Sequence, residues 1–329
     1  MVAKKYSTFK LKQDIKALKV NNATNWAQEL SNLKECHKKI AKELKGDRIV
    51  FFDVPVYFNV GDILIYLGTE QFFLDNNLDV KYRCDYKNIN HKKIMDCDTI
   101  VFQGGGNFGD LYGLLQGARE KIIEQYPDKK IICLPQTIHF QELNNEERSA
   151  RKYRAHKNIT IYVRDKSSFE TAKKFTDKVE MMPDMAHSLH PLVDTREVNQ
   201  LGNRILFMKR DDGETRNSSF KVNKRSVDWN DFITIEDRLF FYVYKLLTKI
   251  GFKELPLNMW RKKIENLFFR SSIIFNSHDE VHTDRLHGMI FSVLLGKRTF
   301  VNDNSYGKNK GYYDCWLGNI KIITFNGED

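Results

Sequence analysis

The sequence predicts an α/β fold made of parallel sheets in two doubly wound, Rossmann-like domains. Three observations carry this expectation. From Ile49 onward, short β-branched or aromatic runs alternate with longer helical segments. Those runs are nearly continuous in apolar residues, as strands covered by helices on both faces must be. The chain of 329 residues is roughly twice the length of a common domain.

Residues 1–46 form a basic arm before this pattern begins. Leu11, Ile15 and Leu18, then Trp26, Leu30, Leu33, Ile40 and Leu44, recur at helical spacings and predict one or two amphipathic helices with lysines outward. Residues 1–50 hold 11 lysines and one arginine against five acids, so most of the net charge of +10 lies there. Such an arm can pack on the main body with a solvated back, or meet anionic lipid at a membrane surface. It lacks aromatics interleaved with arginine, so no nucleic-acid partner is expected.

Residues 47–195 form the first domain. Strands are predicted at Ile49–Val54, Val80–Cys84, Thr99–Gln103, Lys130–Leu134, Ile159–Val163 and Lys178–Met182. Helices are predicted at Gly61–Asn76, Asp110–Tyr126, Asn145–His156 and Lys166–Phe175. The polar stretch Pro191–Gly202 reads as a linker. Residues 196–329 form the second, smaller domain, with strands at Ile205–Lys209, Ser272–Asn276, Arg298–Val301 and Ile320–Phe325. Its helices are Ile235–Ile250, Leu257–Phe269 and Asp284–Leu295, and Arg210–Arg225 is a polar loop. Two such domains facing each other would leave a cleft for a polar substrate.

Composition excludes several classes. At 41% hydrophobic and 29% charged residues, the chain is neither disordered nor low in complexity. No apolar run reaches the roughly 20 residues that span a bilayer, and the first residues do not read as a secretory signal. The five cysteines are odd in number and widely spaced, without a CxxC pair, which fits a cytoplasmic protein better than a disulfide framework or structural zinc.

Seven segments fall where strands end and helices begin, the place where open α/β sheets bind ligands. In Asn59–Asp62, Asp62 suits the first turn of a helix or a contact to a substrate hydroxyl. In Gly104–Asp110, three glycines match GxGxxG, a pattern that serves a tight turn or lets backbone N–H groups approach an anion. Gly105 and Gly106 are the candidates for that approach, with Asn107 and Asp110 beside them. The next strand ends in Pro135-Gln136 with no acid for a ribose, so a nicotinamide cofactor is not expected. His139, after Leu134-Pro135-Gln136, is either a surface histidine or a pocket acid/base. Arg164-Asp165 suits an anion clamp or a local ion pair with a helix cap. Asp184, in Pro183–His187, can cap a short helix. Asp284–Gly288 places Arg285 and His287 at a helix start, where the dipole favours an anion. His278, His282 and His287 do not have zinc-site spacing, so no metal is expected. Asp303–Lys308 ends in a lysine that is either an exposed turn residue or a third cation.

Taken in order, NVGDILI, QGGGNFGDLY, LPQTIHF, VRDKSS, PDMAH, DRLHG and DNSYGK resemble the polysaccharide pyruvyl transferase family, in particular its bacterial exopolysaccharide and capsule members. The resemblance runs from about Ile49 to about Leu317. It implies two Rossmann-like domains similar to the two-domain glycosyltransferase (GT-B-like) architecture. It also implies transfer of pyruvate from phosphoenolpyruvate onto two hydroxyls of a sugar, as a cyclic ketal, with release of phosphate. The acceptor would be a bacterial surface polysaccharide or its lipid-linked precursor, and no cofactor beyond the donor would be needed. Carried onto this sequence, the family pattern marks Arg285, Leu286, His287, Arg164 and Lys308 as donor-binding and His139 as a further site residue. On this scheme Arg164 and Arg285 hold the donor's two anionic groups, His287 is the acid, and His139 or Asp62 is the base. The rival readings are a nucleotide-sugar glycosyltransferase on the same type of fold and a non-catalytic glycan-binding protein.

Overall fold

The computed structural model describes residues 23–193, 204–209, 226–252, 254–303 and 307–326. The helical stretch through Leu11, Ile15 and Leu18, the linker beyond Val193, the Arg210–Arg225 loop and Asn304–Tyr306 lie outside the described residues. Helices α1 (Ala23–Cys36) and α2 (Lys38–Leu44) come first. Their apolar positions follow the predicted spacing: Trp26, Leu30, Leu33, Ile40 and Leu44 are all buried. The Trp26 indole N–H donates to the Val293 carbonyl at 2.6 Å. Over these residues the apolar stripe packs into protein and is not free for lipid.

The described residues divide into two compact units. The N-terminal unit draws on Cys36–Val56 and Ile65–Ser188, and the C-terminal unit on Met1–Glu35, Tyr57–Leu64 and Leu189–Asp329. The first stretch of chain after the arm supplies β1 (Arg48–Phe52), α3 (Val60–Asp75), β2 (Asp79–Cys84), α4 (His91–Met95), β3 (Thr99–Phe102) and β4 (Gly105–Gly109). Then come α5 (Gly113–Gln125), β5 (Lys130–His139), α6 (Leu143–Ala155), β6 (Ile159–Val163), α7 (Lys166–Ala172) and β7 (Val179–Met181). The sheet is parallel throughout, in the order β2-β1-β3-β5-β6-β7, and β4 pairs with the outer half of β5. β3 and β6 are buried along their whole length, which is why TIVF and ITIYV show no polar alternation. Strand order reverses between β1 and β3, the switch point of a doubly wound sheet.

Two segments of this unit depart from the sequence expectation. β5 does not stop at Leu134; it continues through Pro135 to His139. Proline has no N–H for a ladder, and both ladders step over it. β3 ends opposite Cys133, β4 resumes opposite Gln136, and the register with β6 shifts between those same two residues. The glycine run is likewise a strand rather than a loop opening a helix. A Cβ on Gly109 (φ 145) would lie 1.7 Å from the His139 carbonyl oxygen, so Gly109 serves close strand approach.

The C-terminal unit contains β8 (Ile205–Met208), α8 (Ile235–Lys249), α9 (Glu254–Asn276), β9 (Glu280–Thr283), α10 (Leu286–Leu294), β10 (Arg298–Val301), α11 (Lys308–Tyr312) and β11 (Ile323–Phe325). Its four strands are parallel in the order β11-β10-β9-β8. The strand expected at Ser272–Asn276 is instead the end of α9. Buried Trp260, Ile264, Leu267, Phe268, Ser271 and Phe275 keep the helical period, and Ser271 and Ser272 hydroxyls donate to carbonyls four residues back. The strand is Glu280–Thr283, too short and polar to declare itself. Nearby in this unit, the Trp229 ring stacks on Phe275, and Phe291 meets Phe275 at a tilt of 51°.

Lys297, between α10 and β10, is 2% exposed, and its ammonium donates to the His278 carbonyl at 2.7 Å. Burial pushes its pKa down to about 7. The unfolded chain holds that proton up to about pH 10.4. Between these values the unfolded state binds more protons, so this group makes stability rise with pH across that window. Below about pH 7 its burial cost is present in full. Denaturant midpoints measured from pH 7 to pH 10 should climb more in the wild type than in Lys297→Met; equal slopes would contradict this assignment.

Candidate active site

The carboxyl edge of the C-terminal sheet gathers polar side chains from consecutive elements. Thr283 ends β9, and its hydroxyl accepts from the Arg285 N–H at 3.0 Å. This turn leaves Arg285 extended (φ −100, ψ 126) as the N-cap of α10. The Arg285 guanidinium forms a two-pronged ion pair with Asp228, through Nε and Nη2. Asp228 caps the short helix Trp229–Phe232 just after the bridge from Met208 to Val227, so it sits beside the end of β8. A two-point pair fixes the guanidinium plane. Its side chain keeps 12% exposure.

His287 lies in the first turn of α10, half-buried. Its ring packs on the backbone of Gly61: a Cβ there would stand 2.5 Å from the His287 Nδ1. Gly61 is held by Asn59, whose side-chain oxygen accepts from the N–H groups of Gly61 and Asp62 at 3.0 and 3.4 Å. Asn59 is therefore the cap of α3, and Asp62 occupies its first turn without capping it. Leu286 points into the core at 3% exposure. Buried Asn309 ties the edge together, donating to the carbonyls of Asp284 (2.7 Å) and Asn302 (2.9 Å). Asp303 accepts from the N–H groups of Asn309 (3.1 Å) and Lys310 (3.3 Å) in the first turn of α11, whose first residue is the half-buried Lys308.

The N-terminal sheet has a different carboxyl edge. Asp53, after β1, takes a positive φ of 59 and accepts from the Gln103 N–H (2.7 Å) and from Arg119 Nε (2.5 Å). Arg119 and Asp53 are buried. Arg119 also donates to the Gln103 carbonyl at 2.7 Å, as does the Gln136 amide. Burial alone would lower the Arg119 pKa; the Asp53 carboxylate reverses this and raises it. This network lies beside the switch point between β1 and β3.

Arg164 is fully buried, paired through Nη1 with Asp184, and donates through Nε to Thr137 at 2.9 Å. Asp165 caps α7 by accepting from the Ser168 N–H at 2.8 Å, and Asp184 accepts from the Ala186 N–H at 2.9 Å. His139 is exposed at the end of β5, and Gly105 pairs in β4 with Gln136. Gly106 is half-buried and Asn107 is buried in that strand. The Asp110 carboxylate accepts from the N–H groups of Gln141 (2.8 Å) and Glu142 (3.0 Å) and from the Asn145 amide (3.0 Å). Burial raises its pKa, but these bonds outweigh it and hold the carboxyl below its ordinary value. Asp110 thus shapes the turn into α6. Among the described residues no cluster of three His, Cys, Asp or Glu side chains could hold a metal.

The family model for polysaccharide pyruvyl transferases matches residues 59–306, a range that starts at the Asn59 cap and takes in Arg285 and His287. This chain belongs to the polysaccharide pyruvyl transferase family. EpsO of Bacillus subtilis (strain 168), a pyruvyl transferase by its name, is 36% identical over 84% of this chain and 87% of its own. Pyruvyl transferase 1 of Schizosaccharomyces pombe is 26% identical over 82% of this chain and 70% of its own. A crystal structure of a functionally uncharacterized Klebsiella pneumoniae protein shares the fold, with a TM-score of 0.57 at 21% identity, over 89% of this chain and 98% of that one.

For a pyruvyl transferase of this sequence, three residues of the two edges escaped the motif reading: Asp228, Asn309 and Arg119. Arg119 carried a signal, because Leu115, Arg119 and Ile122 share one face of α5 and the arginine sits on its buried side. Asp228 carried none, since no apolar strand precedes it in sequence. Asp53→Ala would leave the Arg119 charge buried and uncompensated, and should destabilise the protein by about 3–5 kcal/mol in urea unfolding. A loss under about 1 kcal/mol would show that this pair is not what holds the edge.

Proposed function

We propose that this pyruvyl transferase moves pyruvate from phosphoenolpyruvate onto two hydroxyls of a sugar in a bacterial surface polysaccharide or its lipid-linked precursor. The reading rests chiefly on one contrast. Of the three arginine–aspartate pairs at the strand ends, those of Arg119 and Arg164 have fully buried guanidiniums, whereas Arg285 keeps 12% exposure beside His287. A planar guanidinium at a helix start suits a carboxylate or phosphate. Lys308 adds a point charge in the same unit. Arg164 contributes by ordering Thr137 and Asp184 at its own edge.

In the proposed reaction, protonated His287 gives its proton to the methylene carbon of the donor. The adjacent carbon becomes oxocarbenium-like and takes the electron pair of the first sugar hydroxyl. Asp62, in the same unit as His287, receives that hydroxyl's proton. The carbon–oxygen bond to phosphate then breaks, phosphate leaves with the bonding pair, and the second hydroxyl closes the ketal, returning its proton to the now neutral His287. Acid–base help of this kind supplies about 10²–10⁴-fold; fixed charge and positioning supply the remainder. Gly61 matters here because any side chain at that position displaces the His287 ring.

The deciding experiment incubates the protein with phosphoenolpyruvate and candidate oligosaccharides, reading ketal mass by mass spectrometry and phosphate release. Release of a nucleotide from a nucleotide sugar, with no use of phosphoenolpyruvate, would replace this reading with the glycosyltransferase one. His287→Ala should lower kcat by about 10²–10⁴-fold with little change in KM. Arg285→Ala should raise the donor KM by about 10–100-fold, the loss expected for one charged hydrogen-bonded contact. Gly61→Ala should behave like a milder His287 variant, lowering kcat in a protein that melts near the wild-type temperature. Full turnover in folded His287→Ala would remove this residue as the acid.

A further inference from the structure

We propose that the exposed face of α8 docks on an anionic phospholipid bilayer. Helix α8 is amphipathic in an inverted sense. Ile235 (85% exposed), Leu239, Tyr242, Val243, Leu246 and Ile250 are all solvent-exposed. At about 100° per residue they form one continuous stripe along the roughly 22 Å of the helix. Phe252 and Leu255 extend the apolar surface into the start of α9. A stripe of this size has no role in a solvated helix face.

Charge selects the occupant. Arg238, Lys245 and Lys249 are exposed, and all three fall within about 40° of arc on one flank of the stripe. Lys245 is held there with its ammonium 4.5 Å from the centre of the Phe241 ring. The acids of α8 are elsewhere. Asp237 is buried and paired with Lys263 and Arg270, and Glu236 lies on the opposite flank. Apolar side chains beside an unbroken row of cations are what an interfacial helix presents to acyl chains and anionic headgroups. A second copy of the chain fits less well: an antiparallel two-fold pairing of this face brings cation row against cation row, and a parallel one offers three cations a single acid, Glu236. The inference stands on α8 alone, whatever donor the catalytic site uses.

The full chain should cosediment with vesicles of phosphatidylcholine containing phosphatidylglycerol, and much less with phosphatidylcholine alone. Leu239→Glu/Leu246→Glu and, separately, Arg238→Gln/Lys245→Gln/Lys249→Gln should each weaken that binding by about tenfold or more, with melting temperature unchanged. The charge variant keeps the test valid should the acidic one misfold. Three outcomes overturn the proposal. They are a wild type that binds no anionic vesicle; two folded variants that both bind as tightly as wild type; or, in sedimentation, a wild-type dimer that Leu239→Glu/Leu246→Glu dissociates, assigning the face to a second copy.

Discussion

A guanidinium taken out of water needs a carboxylate, and this requirement organises both sheet edges. Asp53 meets Arg119, Asp184 meets Arg164, and Asp228 meets Arg285. Each pair joins segments far apart in sequence, so each fixes where a loop can run as it leaves its strand. The cost of burying two charges is repaid only with good geometry and further hydrogen bonds. Arg119 has both, through Gln103 and Gln136, beside the switch point between β1 and β3. The pair that stays partly in contact with solvent is the one beside a histidine.

The second constraint is close approach. His287 can sit where it does because residue 61 has no side chain, and residue 61 is where it is because Asn59 caps α3. The backbone at Gly61 is thus one wall that sets the histidine's position. Arg285 is fixed by two other devices, the Thr283 hydroxyl on its N–H and the two-point pair with Asp228. Cation and imidazole are each held by fixed neighbours, which is the kind of preorganisation that charge stabilisation in a site requires.

Much of this was legible in the sequence, and the exceptions have physical causes. Strands such as TIVF and ITIYV declare themselves because both faces are covered. The helix start at Arg285–His287 was legible from a polar pair following a strand position. The strand before it was not: EVHT has one apolar residue, and its place in the sheet comes from β8 and β10 on either side. SSIIF looked like that strand because β-branched residues favour strands, yet the preceding turns of α9 carry the helix through it. QGGGNFG matched a phosphate loop by spacing alone, and spacing does not distinguish glycines that admit a ligand from glycines that admit a neighbouring strand. Asp110 and Asp165 were visible as acids near helix starts, and each is found bonding backbone N–H groups there.

The inner side of α8 links the proposed docking face to the catalytic edge through ordinary packing. Phe241 and Tyr244 turn inward, and Phe241 contacts both Trp260 (5.6 Å between ring centres) and Phe58 (5.5 Å). Phe58 immediately precedes Asn59, the residue that caps α3 and sets Gly61 against His287. One aromatic layer therefore separates a surface suited to lipid from the backbone that supports the proposed acid. For an acceptor carried on a lipid, that arrangement confines the search for substrate to the membrane plane while leaving the site geometry rigid. Apolar contact and a short row of cations together give reversible attachment, each insufficient alone.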